Sequence, residues 1–171
     1  MGRFYTAPLI ATSFSNGFDA FELGSTSTQI IVVHSVFVGQ SSDAGDAEAE
    51  MVRARIKRGS GSVTSGSGGS TPTAAPHNFS DTAFGGTLEA GNTTRLLVST
   101  GAIAVLHEET FNVQAGWYHT PTPEERIVLS PSQYFVVTIC PYLDTDPGGT
   151  TTFTDAMYFS GRITFEVLGS A

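Results

Sequence analysis

Residues able to carry chemistry are few and scattered along this chain. Cys140 is the single thiol, and a nucleophile with a base would need it beside one of four histidines, His34, His77, His107 or His119. Cys140 ends an apolar run just before Pro141, a setting that suits a buried structural thiol. The chain has no GxSxG, no HExxH, no P-loop and no GxGxxG between a strand and a helix. The histidines lie far apart in the sequence, with no paired spacing that would put two imidazoles on one metal. Glu108 and Glu109 are neighbours on a strand and point to opposite faces, so they cannot act together on one bond. Glu124 and Glu125 follow Thr122-Pro123, a start suited to one short helical turn, where acids favour the positive end of the dipole. No catalytic residue and no cofactor is expected.

Two charge patterns point to binding. Asp144 and Asp146 stand at positions 1 and 3 of a calcium-type loop, Gly149 at its turn position and Asp155 at its end; a plain Pro-Gly-Gly turn explains the same residues. The acidic stretch around Asp43, Asp46, Glu48 and Glu50 leads into Arg53, Arg55, Lys57 and Arg58. With Val52, Ala54 and Ile56 facing a core, Arg53, Arg55 and Lys57 form a basic row on the outer face of one strand. That row reads either as the charge protecting a sheet edge or as a docking stripe for an acidic partner. Trp117-Tyr118-His119, with Tyr134 and Tyr142, offers aromatic surface for a sugar or a protein, although a single Trp in a sandwich usually belongs to the core.

The elements that would position these groups are short strands. Met157, Phe159, Ile163, Phe165 and Val167 share one parity against Ser160, Arg162, Thr164 and Glu166, which is a half-buried strand. The segments at 29–38 and 133–140 are apolar on both faces: Ile31, Val33 and Phe37 oppose Ile30, Val32, Val36 and Val38, and Tyr134 and Val136 oppose Phe135, Val137 and Ile139. Ile31, Val33, Phe37, Tyr134 and Val136 therefore call for a covering surface, and a homo-oligomer, favoured as a trimer by analogy with jelly-roll assemblies, is expected to supply it. Further strands read at 18–23, 51–57, 94–99, 103–111 and 126–129. About eight antiparallel strands predict an all-β two-sheet sandwich, most simply a jelly roll, over residues 16–171. Long loops fall at 40–50 and 59–76, the second rich in Gly and Ser. Residues 1–15 contain Phe4, Tyr5, Leu9, Ile10 and Phe14 but also Pro8, and read as an extended N-terminal arm.

Composition narrows the partners. Sixteen acids against eight bases give a net charge of −8, with Lys57 the sole lysine, so nucleic acid is not an expected partner. No apolar run reaches the ~18 residues of a membrane span, and the first residues lack the pattern of a signal peptide, so no membrane role is expected. Charged residues make up 14 %, while 18 Ser, 22 Thr and 19 Gly fill about a third of the chain and favour strands and turns.

Several segments resemble small virion proteins of tailed bacteriophages. They are His34-Ser35-Val36 with Gly39-Gln40-Ser41-Ser42-Asp43, Ala47-Glu48-Ala49-Glu50-Met51, Arg58-Gly59, Gly66-Ser67-Gly68-Gly69-Ser70, Asn112-Val113-Gln114-Ala115-Gly116-Trp117 and Thr120-Pro121-Thr122-Pro123-Glu124-Glu125-Arg126. The resemblance runs from about Phe18 to the C-terminus. It implies a β-sandwich on the capsid surface, made in the host cytoplasm, that decorates or cements the head by binding the major capsid protein, without catalysis. In that setting Phe4, Tyr5, Leu9, Ile10 and Phe14 of the arm are the expected attachment residues, with Arg53, Arg55 and Lys57 next. The alternative is a receptor- or glycan-binding jelly-roll module of a head or tail fibre.

Overall fold

A computed structural model describes residues 2–41, 50–145 and 151–169. Eleven strands build two antiparallel sheets that face each other across one core. They are β1 (Arg3–Asn16), β2 (Phe18–Gly24), β3 (Ile30–Gln40), β4 (Met51–Thr64), β5 (Ala75–Pro76), β6 (Thr87–Asn92), β7 (Leu97–Asn112), β8 (Trp117–His119), β9 (Ile127–Leu129), β10 (Gln133–Pro141) and β11 (Thr152–Leu168). The first sheet runs β5-β1-β11-β3-β8, with β9 also on β3; the second runs β6-β2-β10-β4-β7. Pro123–Glu125 form one 3-10 turn, as the Thr122-Pro123 start suggests. The segment read at 103–111 and residues 97–99 of that read at 94–99 belong to the single long strand β7, while 94–96 precede it.

Alternation places the core as read for β4, β10 and β11: Val52, Ala54, Ile56, Phe135, Val137, Ile139, Phe159, Ile163 and Phe165 are all fully buried. Aromatic rings fill its centre. Phe14 and Phe18 stack with ring centroids 3.6 Å apart, and Phe18 lies 5.2 Å from Phe159.

Two expectations change here. Residues 1–15 are not a separate arm: β1 pairs with β11 from Arg3↔Val167 to Asn16↔Thr152, and Tyr5, Leu9 and Phe14 are buried in the core. Of the five expected attachment residues Phe4, Tyr5, Leu9, Ile10 and Phe14, Ile10 is exposed and Phe4 is half-buried. A register shift between Leu9 and Thr12 explains why the strand was hard to read, since core residues are odd-numbered before it and Phe14 is even. Pro8 is tolerated because β5 pairs β1 only at Tyr5 and Thr6, leaving Pro8 on the sheet margin.

The second change concerns β3. A register shift opposite Thr164 and Phe165 makes His34 an extra residue, and an extra residue reverses which parity faces inward. Ile31 and Val33 before it and Val36 and Val38 after it therefore all join the core. Ile31 and Val33 are not self-association residues, whereas Ile30, Val32 and Phe37 face outward. On β10, Val136 does face away from the core but is fully buried, and Tyr134 is half-buried.

Val136 is covered by the chain itself. β4 and β7 form a ribbon that bends where Gly61 and Gly101 pair, with φ of 90° and 140°. A Cβ on either glycine would strike the opposite backbone, at Thr100 O or Ser60 O, so only glycine permits the bend. Beyond it, Ser67 bridges to Thr94 and Ser70 to Ala90, carrying the ribbon as a strap toward β6, at the opposite edge of the second sheet. The Gly/Ser-rich stretch is thus half strand and half strap.

Candidate functional site

Beneath the strap lies a buried ionic network. Asp19 of β2, fully buried, accepts hydrogen bonds from the Leu96 backbone N–H at 2.7 Å and from the Thr138 hydroxyl, and lies 3.9 Å from Lys57 Nζ. Glu22 accepts from the Ser65 hydroxyl, the Gly66 N–H and the Asn92 amide. Burial pushes the Glu22 carboxyl above the usual carboxylate range, against those hydrogen bonds, which lower it. Arg95 holds Asp144 through two parallel bonds of 2.9 and 3.0 Å.

These pairings decide three of the sequence expectations. Arg53, Arg55 and Lys57 do share the outer face of β4, but Glu108 of β7 pairs with both Arg53 and Arg55, and Lys57 is buried beside Asp19. The row is not an open docking stripe, and β4 is not an edge, because β10 and β7 flank it. Asp144 is buried and committed to Arg95 while Asp155 is exposed on β11, so the two do not converge on a calcium loop; Asp146 lies outside the described residues. Cys140 is buried under the same strap, its thiol facing Arg53 O at 3.8 Å, and burial raises its pKa away from the reactive thiolate.

A second cluster clasps the two sheets at one margin. His107 and Glu109 of β7 meet Trp117 and His119 of β8, with the two imidazole centroids 4.8 Å apart. Trp117 Nε1 donates to Glu109 Oε2 at 3.0 Å, and His107 Nε2 lies 3.3 Å from the same oxygen. The sequence separation of the histidines hid this pairing, which only the cross-sheet topology creates. Leu106, His107, His119, Thr120, Pro121, Glu125 and Ile127 line an open groove of about 500 Å³ beside it. Among the described residues no group of three or more His, Cys, Asp or Glu is arranged to hold a metal ion.

The clasp has a pH sign. Burial, then the neighbouring His107, lowers the pKa of His119 against the pull of Glu109 and Glu125, while the Trp117 N–H and then His107 lower that of Glu109. The unfolded chain therefore binds more protons at both groups, so stability rises with pH through each window. For His119 the loss begins as pH falls through about 6.5, the free imidazole value, and for Glu109 it follows below about 4.5. Melting temperature is expected to fall between pH 7 and 5, and His119→Gln to flatten that part of the profile. An unchanged slope in the variant would remove His119 as the cause.

The outer face of the first sheet is the third feature. Register aligns Val128, Val32, Glu166 and Phe4 in one row, Ser35, Thr164 and Thr6 in the next, and Tyr118, Phe37, Arg162 and Pro8 in the one after. Tyr118 is 55 % exposed, Val128 45 % and Phe37 37 %, and the Phe37 and Tyr118 rings are 6.4 Å apart. His34 joins the first row, 3.2 Å from Glu166 Oε2, with its ring 4.9 Å from that of Phe4. The face is thus a strip of apolar and aromatic side chains interrupted by Ser35, Thr164 and Thr6 and crossed by Glu166, His34 and Arg162, with its exposed aromatic pair at Phe37 and Tyr118.

Compared with known proteins, the chain matches no family model, no curated protein and no solved structure. The carboxylates of the network find their partners within the chain, beneath the strap. The clasp offers imidazole and carboxylate groups, and the Cys140 thiol lies apart from them, buried on the second sheet. The strip presents the exposed aromatic pair Phe37 and Tyr118 to a partner, with Val128 on the same face. Its outward members Phe37 and Tyr118 were legible as types, but the bulge at His34 had to be seen before the rest could be placed.

Proposed function

We propose that the protein is a structural virion component of a tailed phage, a decoration or cement protein that binds the major capsid protein on the head surface without catalysis. The observation that carries this reading is the aromatic strip on the first sheet, which supplies an attachment surface in place of the arm. The segments resembling phage virion proteins support the setting. Four strands in the order β1-β11-β3-β8 facing four in the order β2-β10-β4-β7, with β9 beside β8, support reading the sandwich as a jelly roll. The trimer expected from the doubly apolar strands loses its basis at Ile31 and Val33, which are core residues.

Aromatic anchors at the centre of an interface commonly contribute 2 kcal/mol or more each. Phe37→Asp with Tyr118→Asp is therefore expected to weaken binding to undecorated heads at least about thirtyfold while leaving the melting transition in place. Co-sedimentation measures it. Unchanged binding by the folded double variant, or failure of the wild-type chain to bind heads, rejects the proposal. The second reading, a glycan-binding module, is favoured by the groove beside His107 and His119. Binding to host surface glycans that is lost in His119→Ala would select it instead.

A further inference from the structure

The far edge of β7 stands apart from both the strip and the groove. β7 is the last strand of its sheet, and among the described residues no strand pairs with its outer side. Such an edge normally carries Lys, Pro or an inward charge against unwanted pairing. From Leu97 to Leu106 this strand reads LVSTGAIAVL, without one charge or proline, and Ile103, Val105 and Leu106 are exposed at 37 %, 54 % and 43 %. Register shifts beside Leu106 and Ser99 and the bend at Gly101 confine its regular run to Ala102–Val105, with Gly101 at its end.

We propose that this run pairs antiparallel with the same run of a second copy, joining two second sheets across a two-fold axis at Ile103. Self-pairing of one edge is closed and self-complementary by symmetry. A dyad at Ile103 sets Val105 opposite the partner copy's bare Gly101 and Ala102 opposite its Ala104, so side-chain bulk is matched on both faces. Charge places a copy at this site and not elsewhere: a chain of net −8 repels itself where its acids are exposed, whereas this stretch is uncharged and its register is self-complementary. Glu108 and Glu109 lie beyond the paired run, so no acids are brought face to face. The inference uses neither the strip nor a capsid, and it stands or falls separately from the proposed attachment.

Sedimentation velocity over a concentration series tests it on the full chain. The wild type is expected to move from monomer toward dimer as concentration rises. Ile103→Lys and Ile103→Glu each set like charges against each other at the dyad and are expected to weaken association at least about tenfold. An equal mixture of the two is expected to restore the dimer, because residue 103 then faces its opposite. Ile103 is an exposed edge residue, and circular dichroism identical to wild type shows that each variant is folded. A wild type that stays monomeric at its highest soluble concentration overturns the proposal. So does a dimer that survives Ile103→Lys, or a mixture that fails to re-form one. Restored association in the mixture cannot come from a foreign strand on this edge, so the same experiment excludes that occupant.

Discussion

Deleting residues 1–15 is expected to abolish the cooperative fold. β1 lies between β5 and β11, so its loss strips β11 of one of its two neighbours along pairings from Val167 to Met157. It also removes Tyr5, Leu9 and Phe14 from the core, where Tyr5 stacks on Phe165 at 5.6 Å and Phe14 on Phe18 at 3.6 Å. Burying each large apolar side chain contributes about 1.5–3 kcal/mol, so the three together reach about 5–9 kcal/mol. Domains of this kind are stable by only about 5–15 kcal/mol in all. The truncated chain should therefore lack both a sharp thermal transition and the near-ultraviolet signal of fixed aromatic rings. A truncated protein that melts cooperatively near the full-length temperature would show that β1 is an accessory strand after all.

How β1 escaped the sequence reading is a matter of parity. Strands β10 and β11 keep one inward parity along their apolar residues, and their cores were legible directly. In β1 and β3 an irregular step changes parity midway, so period-2 reading sees either an incoherent segment or a doubly apolar one. Tyr5, Ala7 and Leu9 face inward before the step and Phe14 after it; Ile31 and Val33 do so before theirs and Val36 and Val38 after. The basic row was legible as a row on one face, because β4 keeps its parity from Val52 to Ile56. Its neutralisation was not, since Glu108 and Asp19 reach it from strands distant in sequence. The same holds for the clasp: His107 and His119 sit in different sheets, and no local spacing records their meeting.

The buried network carries the second large effect, at Asp19. Phe18-Asp19-Ala20-Phe21-Glu22-Leu23 would ordinarily place its acids in water, yet the strap buries both. Asp19 is the carboxylate that the Leu96 N–H, the Thr138 hydroxyl and the Lys57 ammonium approach together, with Lys57 itself only 1 % exposed. Removing one partner of a buried charged group costs about 3–5 kcal/mol, because the remaining partners stay desolvated. Asp19→Ala is therefore expected to lower unfolding free energy by about that amount in urea titration. It should also speed hydrogen exchange at the Leu96 amide, whose acceptor is gone. Asp19→Asn keeps an acceptor without the charge and should fall between wild type and Asp19→Ala. Combining Asp19→Leu with Lys57→Met replaces the ionic pair by apolar bulk, and such exchanges are often neutral or stabilising. The double variant should then recover the share of the loss that belongs to the uncompensated Lys57 charge, while the Leu96 N–H and the Thr138 hydroxyl still lack their acceptor. A loss below about 1 kcal/mol in Asp19→Ala, the size of an exposed pair, would mean that water reaches Lys57 and that the strap does not seal the second sheet.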